Sequence, residues 1–170
     1  MATLIADFFK YNLWANLQML DACANLDDAQ LDASSEGTFG SVRETLVHII
    51  GAEEGYVHRF TGQRPEPALH EDDLFPGFDE LRRRARHTGE GLIAIAEQFD
   101  AGQVLHLPYQ GQIYDVPGIL VLVQAINHGV DHRSQVATIL SQQGVTPPEL
   151  DGWSYYLACE DAMRKSDEMG

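Results

Sequence analysis

His128 and His132 stand four residues apart in the stretch H-G-V-D-H, and His48 lies far upstream in L-V-H-I-I. At about 100° per residue, four positions bring a helix back to nearly the same face, so the paired imidazoles project together. That spacing suits two ligands of one metal ion. His48 falls in a separate amphipathic stretch and can close the site from a facing helix. Three imidazoles, with a position left for water or substrate, make an open divalent-metal centre able to do chemistry. The competing reading is three satisfied histidines at core or helix-edge positions. Leu120 and Gln124 share the face of the pair one and two turns earlier, so the pair continues an apolar helix. Imidazoles entering a core need partners, and one shared ion satisfies both. Spacing alone leaves both readings open.

The remaining histidines point elsewhere. His58 is turned roughly 80° from His48 on the same predicted helix. His70 lies among acids, His87 beside arginines and His106 in a candidate hairpin. Of the carboxylates, Glu44 is one turn before His48 and is placed to orient it. Glu53 and Glu54 fall further along, where one of them can approach the pocket rim. Asp131 points about 100° away from His132, which suits a cap or a partner for Arg133 rather than a ligand. A di-iron bundle needs Glu-x-x-His pairs, and the metalloprotease pattern H-E-x-x-H is also missing.

Helices must carry these groups. Leu4 to Leu26 has helical apolar spacing with Tyr11, Trp14 and Asn16 along it, and residues 25–41 read as connection. Ser41 and Glu44 have the form of a capping box, which starts a second helix running towards Phe60. A crossover with three prolines follows, then a third helix over Phe78 to Phe99, weakened by Gly89 and Gly91. Apolar alternation on both sides of Gln110-Gly111 suggests a short irregular hairpin or an extended loop. A fourth helix begins near Pro117 or Gly118, carries the histidine pair and ends before Gly144. It reads as apolar on nearly all sides over Ile119 to Ile126, as a central helix would. An aromatic tail, G-W-S-Y-Y-L-A, is expected to pack back on the bundle. The expected fold is all-α: a single four-helix bundle domain over 1–170 with a long crossover and a C-terminal aromatic segment.

Length and composition fit one ordinary domain with a sizeable core: 170 residues, 44% of them hydrophobic. A formal charge of −15 should repel nucleic-acid phosphates and anionic membranes. The run Arg82-Arg83-Arg84 with Arg86 reads as a solvated helix face. Cys23 and Cys159 form no disulfide framework and read as reduced. The N-terminal stretch has no basic leader and no apolar run is long enough to span a bilayer, so a cytoplasmic protein is the default expectation.

Three stretches carry a family resemblance: Y-N-L-W-A-N from Tyr11, S-V-R-E-T-L-V-H-I-I from Ser41, and N-H-G-V-D-H-R-S-Q-V from Asn127, continuing into G-V-T-P-P-E-L-D. In these the chain resembles the DinB/YfiT-like family of metal-dependent enzymes. The resemblance implies a four-helix bundle of up-down-down-up order, often dimeric. It implies that His48, His128 and His132 bind one divalent metal ion per chain and leave positions for water or substrate. Asp131 occupies a place where many members carry a further histidine or tyrosine. Relatives include transferases and isomerases that use low-molecular-weight thiols, while many members have no established reaction.

The first functional expectation is therefore a transferase in which a metal-stabilised thiolate attacks an electrophilic carbon of a small-molecule substrate. The second is a hydrolase using activated water, and the third a non-catalytic, metal-stabilised binding or stress-response protein. Zinc or nickel suits three imidazoles best, with manganese or iron compatible. The sequence exposes no proton acceptor, so no catalytic residue is assigned; Glu44 and Tyr11 are candidate helpers, and Asn16 and Trp14 candidate lining. Common thiols are anionic, so an acidic protein needs a local positive feature, which the metal, Arg133 or Arg43 can supply. A homodimer is compatible with the apolar helix faces.

Overall fold

The computed structural model describes residues 4–169. Its helices are α1 (Leu4–Cys23), α2 (Asp28–Leu31), α3 (Val42–Thr61), α4 (Phe78–Glu97), α5 (Gly118–Gln142) and α6 (Gly152–Met169). Two strands, β1 (Val104–Tyr109) and β2 (Gln112–Pro117), lie between α4 and α5. The four long helices α1, α3, α4 and α5 form the core bundle. α1 packs against α4 and α5, and α3 packs against the same two, so α1 and α3 sit diagonally. Six helices and a hairpin are present among the described residues, against the four helices expected.

Local chemistry explains most boundaries. Ser41 caps α3 in the capping box anticipated from sequence: its side chain accepts from the Glu44 amide, and the Glu44 carboxylate accepts from the Ser41 amide. α3 ends on Gly62 at φ 72°, where a left-handed cap costs glycine little. α2 falls in the segment read as connection. A second capping box, Asp27 with Gln30, gives it one turn, too short for apolar periodicity to reveal. Of the two forms expected around Gln110-Gly111, the hairpin is the one present. Gln110 and Gly111 both have positive φ, which suits the twist of a two-residue turn.

Two apolar clusters fill the bundle. Met19, Leu20, Val42, Leu46, Ile50, Leu81 and Ile139 pack one end. Phe9, Ala52, Tyr56, Leu92, Leu122 and Ala125 pack the other. α5 is less enclosed than its composition suggests. Leu120 is 55% exposed and Val123 47%, so one apolar stripe faces outward and the helix is not buried all round. The tail packs back in part: Tyr155 meets Trp14 at 5.3 Å and Tyr11 at 5.7 Å between ring centroids, while Trp153 and Leu157 remain exposed.

Gly89 has a positive use. A Cβ there would stand 2.9 Å from Cβ of Leu13, so its absence lets α1 and α4 approach closely. Gly89→Ala gains helix propensity of about 1 kcal/mol but overpacks this contact by about 1–3 kcal/mol. The expected outcome is a net loss of stability, read as a lower urea midpoint without a change in slope.

Candidate metal centre

α3 and α5 deliver the three histidines to one point. His48 Nε2 lies 2.9 Å from His128 Nε2 and 3.2 Å from His132 Nε2. Among the described residues these three side chains form the one group of histidine, cysteine or carboxylate donors close enough to hold a metal. Three nitrogens bound at about 2.0–2.1 Å in a tetrahedral arrangement stand about 3.3 Å apart, close to the two distances seen. His48 is buried, and His128 is only partly so.

Surrounding groups bias the rings towards presenting Nε2. His132 Nδ1 lies 3.2 Å from Oε1 of Gln135, an oxygen that also accepts from the Phe39 amide at 2.9 Å. Nδ1 of His48 is 3.0 Å from Oε2 of Glu71 but outside hydrogen-bond alignment with it. With their protons on Nδ1, both rings aim lone pairs at the same point, and a cation there relieves the repulsion. His128 Nδ1 is buried without a hydrogen-bond partner. The donor chemistry and spacing thus fit a divalent ion.

Aromatic side chains wall the cluster. Phe39 stacks on His48 with ring centroids 3.8 Å apart and meets His132 edge-on at 5.6 Å. Tyr56 meets His128 edge-on at 6.0 Å. Gln135 is one turn beyond His132 and was within reach of a helix-face argument. Phe39 and Glu71 come from connections, where no periodicity announces them.

Several candidates are used elsewhere. The Glu44 carboxylate binds Ser41 and so serves the helix cap rather than His48. Asp131 does not hold Arg133; its carboxylate lies 3.5 Å from Nε2 of Gln135. Tyr11 donates to the Leu150 carbonyl at 2.6 Å, joining α1 to the tail. Trp14 packs in the aromatic cluster with Tyr11 and Tyr155.

Glu53 and Glu54 are fully buried rather than at a rim. Asn12 and Asn16 each donate to Oε1 of Glu53, at 2.6 and 2.7 Å. Their own oxygens accept from Nη1 of Arg133 at 2.8 and 2.6 Å. Arg133 and Asn16 are therefore core residues, bound to each other and, through Asn16, to Glu53 rather than to the histidine cluster. Burial pushes the Glu53 carboxyl up and the Arg133 guanidinium down, while each charge partly offsets the effect on the other. Glu54 accepts from Nη1 of Arg84 at 2.6 Å, so Arg84 is buried and the arginine run is not a uniformly solvated face. Arg43 pairs with Asp28 and Asp32.

The DinB family model matches residues 1–163. Protein DinB of Bacillus subtilis (strain 168) is 24% identical over 155 residues, covering 84% of this chain and 88% of that protein. The crystal structure of a DinB-like protein from Bacillus cereus ATCC 10987 superposes with a TM-score of 0.65 at 19% identity. The alignment covers 85% of this chain and 94% of that one, which shows a shared fold.

Two measurements check the geometry. Burial, followed by the neighbouring imidazoles His132 and His48, lowers His128 to about 4 from an ordinary value of 6.5. Between those values the unfolded chain binds the extra proton, so this contribution to stability is present above pH 6.5 and is lost as pH falls towards 4. Thermal melts of chelator-treated protein should show that decline, and His128→Gln should flatten it. Arg133→Met strands the buried Glu53 carboxylate and should cost about 3 kcal/mol in chemical unfolding.

Proposed function

This chain belongs to the DinB family, and we propose that its three-histidine cluster holds one divalent metal ion in the active site of a metal-dependent enzyme. The observation that carries the reading is the convergence of three Nε2 atoms on one point from two helices. His48, His128 and His132 would hold the ion. A divalent ion so held supplies Lewis-acid chemistry and lowers the pKa of a nucleophile's proton. Zinc or nickel fits the donor set best, and manganese or iron is compatible.

The protein's own groups would do the rest. Gln135 would orient His132, and Glu71 stands 3.0 Å from Nδ1 of His48. Phe39 covers one side of the cluster and excludes water there, and Tyr56 borders His128. The partial burial of His128 supports a site with one accessible side, which weighs against the non-catalytic reading with its closed coordination shell.

The first reaction in this proposal is transfer by a low-molecular-weight thiol, the chemistry suggested by the family resemblance. A second, hydrolysis by activated water, is favoured by the fate of two arginines. Arg133 is committed to the core and Arg43 to two aspartates, so neither provides the positive feature that an anionic thiol would need. The sequence-based expectation of a homodimer belongs to the same proposal, supported by exposed Leu4, Phe8, Leu120 and Val123 on α1 and α5. No helix among the described residues is long and apolar enough to cross a membrane.

Elemental analysis of untagged, unchelated protein should give about one divalent ion per chain, and the double substitution His128→Ala/His132→Ala should abolish it. Zinc or nickel added to chelated protein at about 100 times Kd should raise Tm by about 5–10 °C. Substoichiometric metal in both proteins, with no response to chelation, overturns the reading. Assays with a thiol and an alkyl electrophile, set against ester and amide substrates, separate transfer from hydrolysis.

A further inference from the structure

Glu71 lies in the connection from α3 to α4, in the acidic stretch H-E-D-D, where sequence gives it no task. The structure brings its carboxylate 3.0 Å from Nδ1 of His48. That nitrogen is buried and makes no well-aligned hydrogen bond, so the nearby carboxylate is placed to take its proton and bulk water could not readily stand in for it.

The chain around Glu71 is held at several points. Nη2 of Arg84 donates to the Pro67 carbonyl at 2.8 Å. The buried carboxylate of Glu54 accepts from the Leu69 amide at 2.9 Å. Leu69 is only 4% exposed and packs into the core. The His70 and Asp73 residues close a turn on themselves, His70 donating its amide to the Asp73 carboxylate and Asp73 its amide to the His70 carbonyl. The 70–71 peptide then lies against Gly51, one turn beyond His48 on α3. A Cβ on Gly51 would stand 2.9 Å from both the carbonyl carbon of His70 and the amide nitrogen of Glu71. Both contacts are to backbone, so a side chain at 51 would displace the connection.

We propose that Glu71 is a positioning residue for His48: its carboxylate holds the proton on Nδ1 and so keeps the Nε2 lone pair facing the other two histidines. This rests on the metal-centre reading for its purpose. Gly51 gives the connection room to reach the ring, and the buried Glu54–Arg84 pair fixes it there. The arrangement is a carboxylate–imidazole–metal relay, in which the outer acceptor sets ring orientation and donor strength. Gln135 stands in the corresponding place for His132. Glu71 is half-exposed at the surface, so its removal need not unfold the protein.

The test uses imidazole nitrogen NMR on metal-free protein at pH 8, together with zinc affinity by chelator competition. Wild type and Glu71→Gln, which keeps an acceptor oxygen, should show His48 protonated on Nδ1. Glu71→Ala should lose that signature and weaken zinc binding by about tenfold or more. Gly51→Ala should reproduce the loss, and combining it with Glu71→Ala should add little. An unchanged His48 tautomer in Glu71→Ala overturns the inference, as does unchanged zinc affinity where the wild type binds zinc. If the wild type binds no metal while the tautomer still depends on Glu71, the metal reading fails and the positioning role stands.

Discussion

Two adjacent carboxylates in the middle of α3 constrain the whole bundle. Glu53 and Glu54 are both fully buried, and an ionised carboxylate in that setting is tolerable only with strong partners. Their side chains point to different neighbours and engage the other three core helices and the crossover. Glu53 takes Asn12 and Asn16 from α1 and Thr88 from α4, and reaches Arg133 on α5 through the two asparagines. Glu54 takes Arg84 from α4 and the Leu69 amide from the crossover. Sliding or rotating α3 would break several of these bonds together, whereas apolar contacts alone tolerate small shifts. The polar core therefore fixes register, and apolar burial supplies most of the driving force.

That register places the histidines. His48 lies on α3 a little over one turn before the buried pair, and His132 immediately precedes Arg133 on α5. Fixing Glu53 against Arg133 thus fixes the two histidine-bearing segments against each other. The same device controls the other side of His48. Arg84 and Glu54 hold the crossover backbone, and the crossover brings Glu71 to the ring. The histidine cluster is supported from within by a network that solvent does not reach.

Surface charge has little direct part in this. The chain is strongly acidic, yet Arg43, Arg84 and Arg133 are committed to carboxylates or to core amides. The immediate surroundings of the three imidazoles are an aromatic ring on one side and carboxylates at Glu71 and Asp131 on others. Such surroundings favour a bound cation over a free anion.

The sequence by itself determined the four long helices and the ligand-bearing faces. The Ser41–Glu44 box and the four-residue spacing of His128 and His132 are local, and local hydrogen bonding with a 3.6-residue period makes them legible. The hairpin was legible, as one of two readings, from the apolar alternation on both sides of Gln110-Gly111. Which charged residues turn inward was decided only by tertiary structure. Arg84 looked like its neighbours, and Arg133 looked available for a substrate, because a charge reveals its burial only when a partner from another element is in place. Glu44 was one turn from His48 but was taken by the nearer amide and hydroxyl of Ser41. Glu71 and Phe39 sit in connections whose path is set by remote anchors, so no period in the sequence reports their approach to the site.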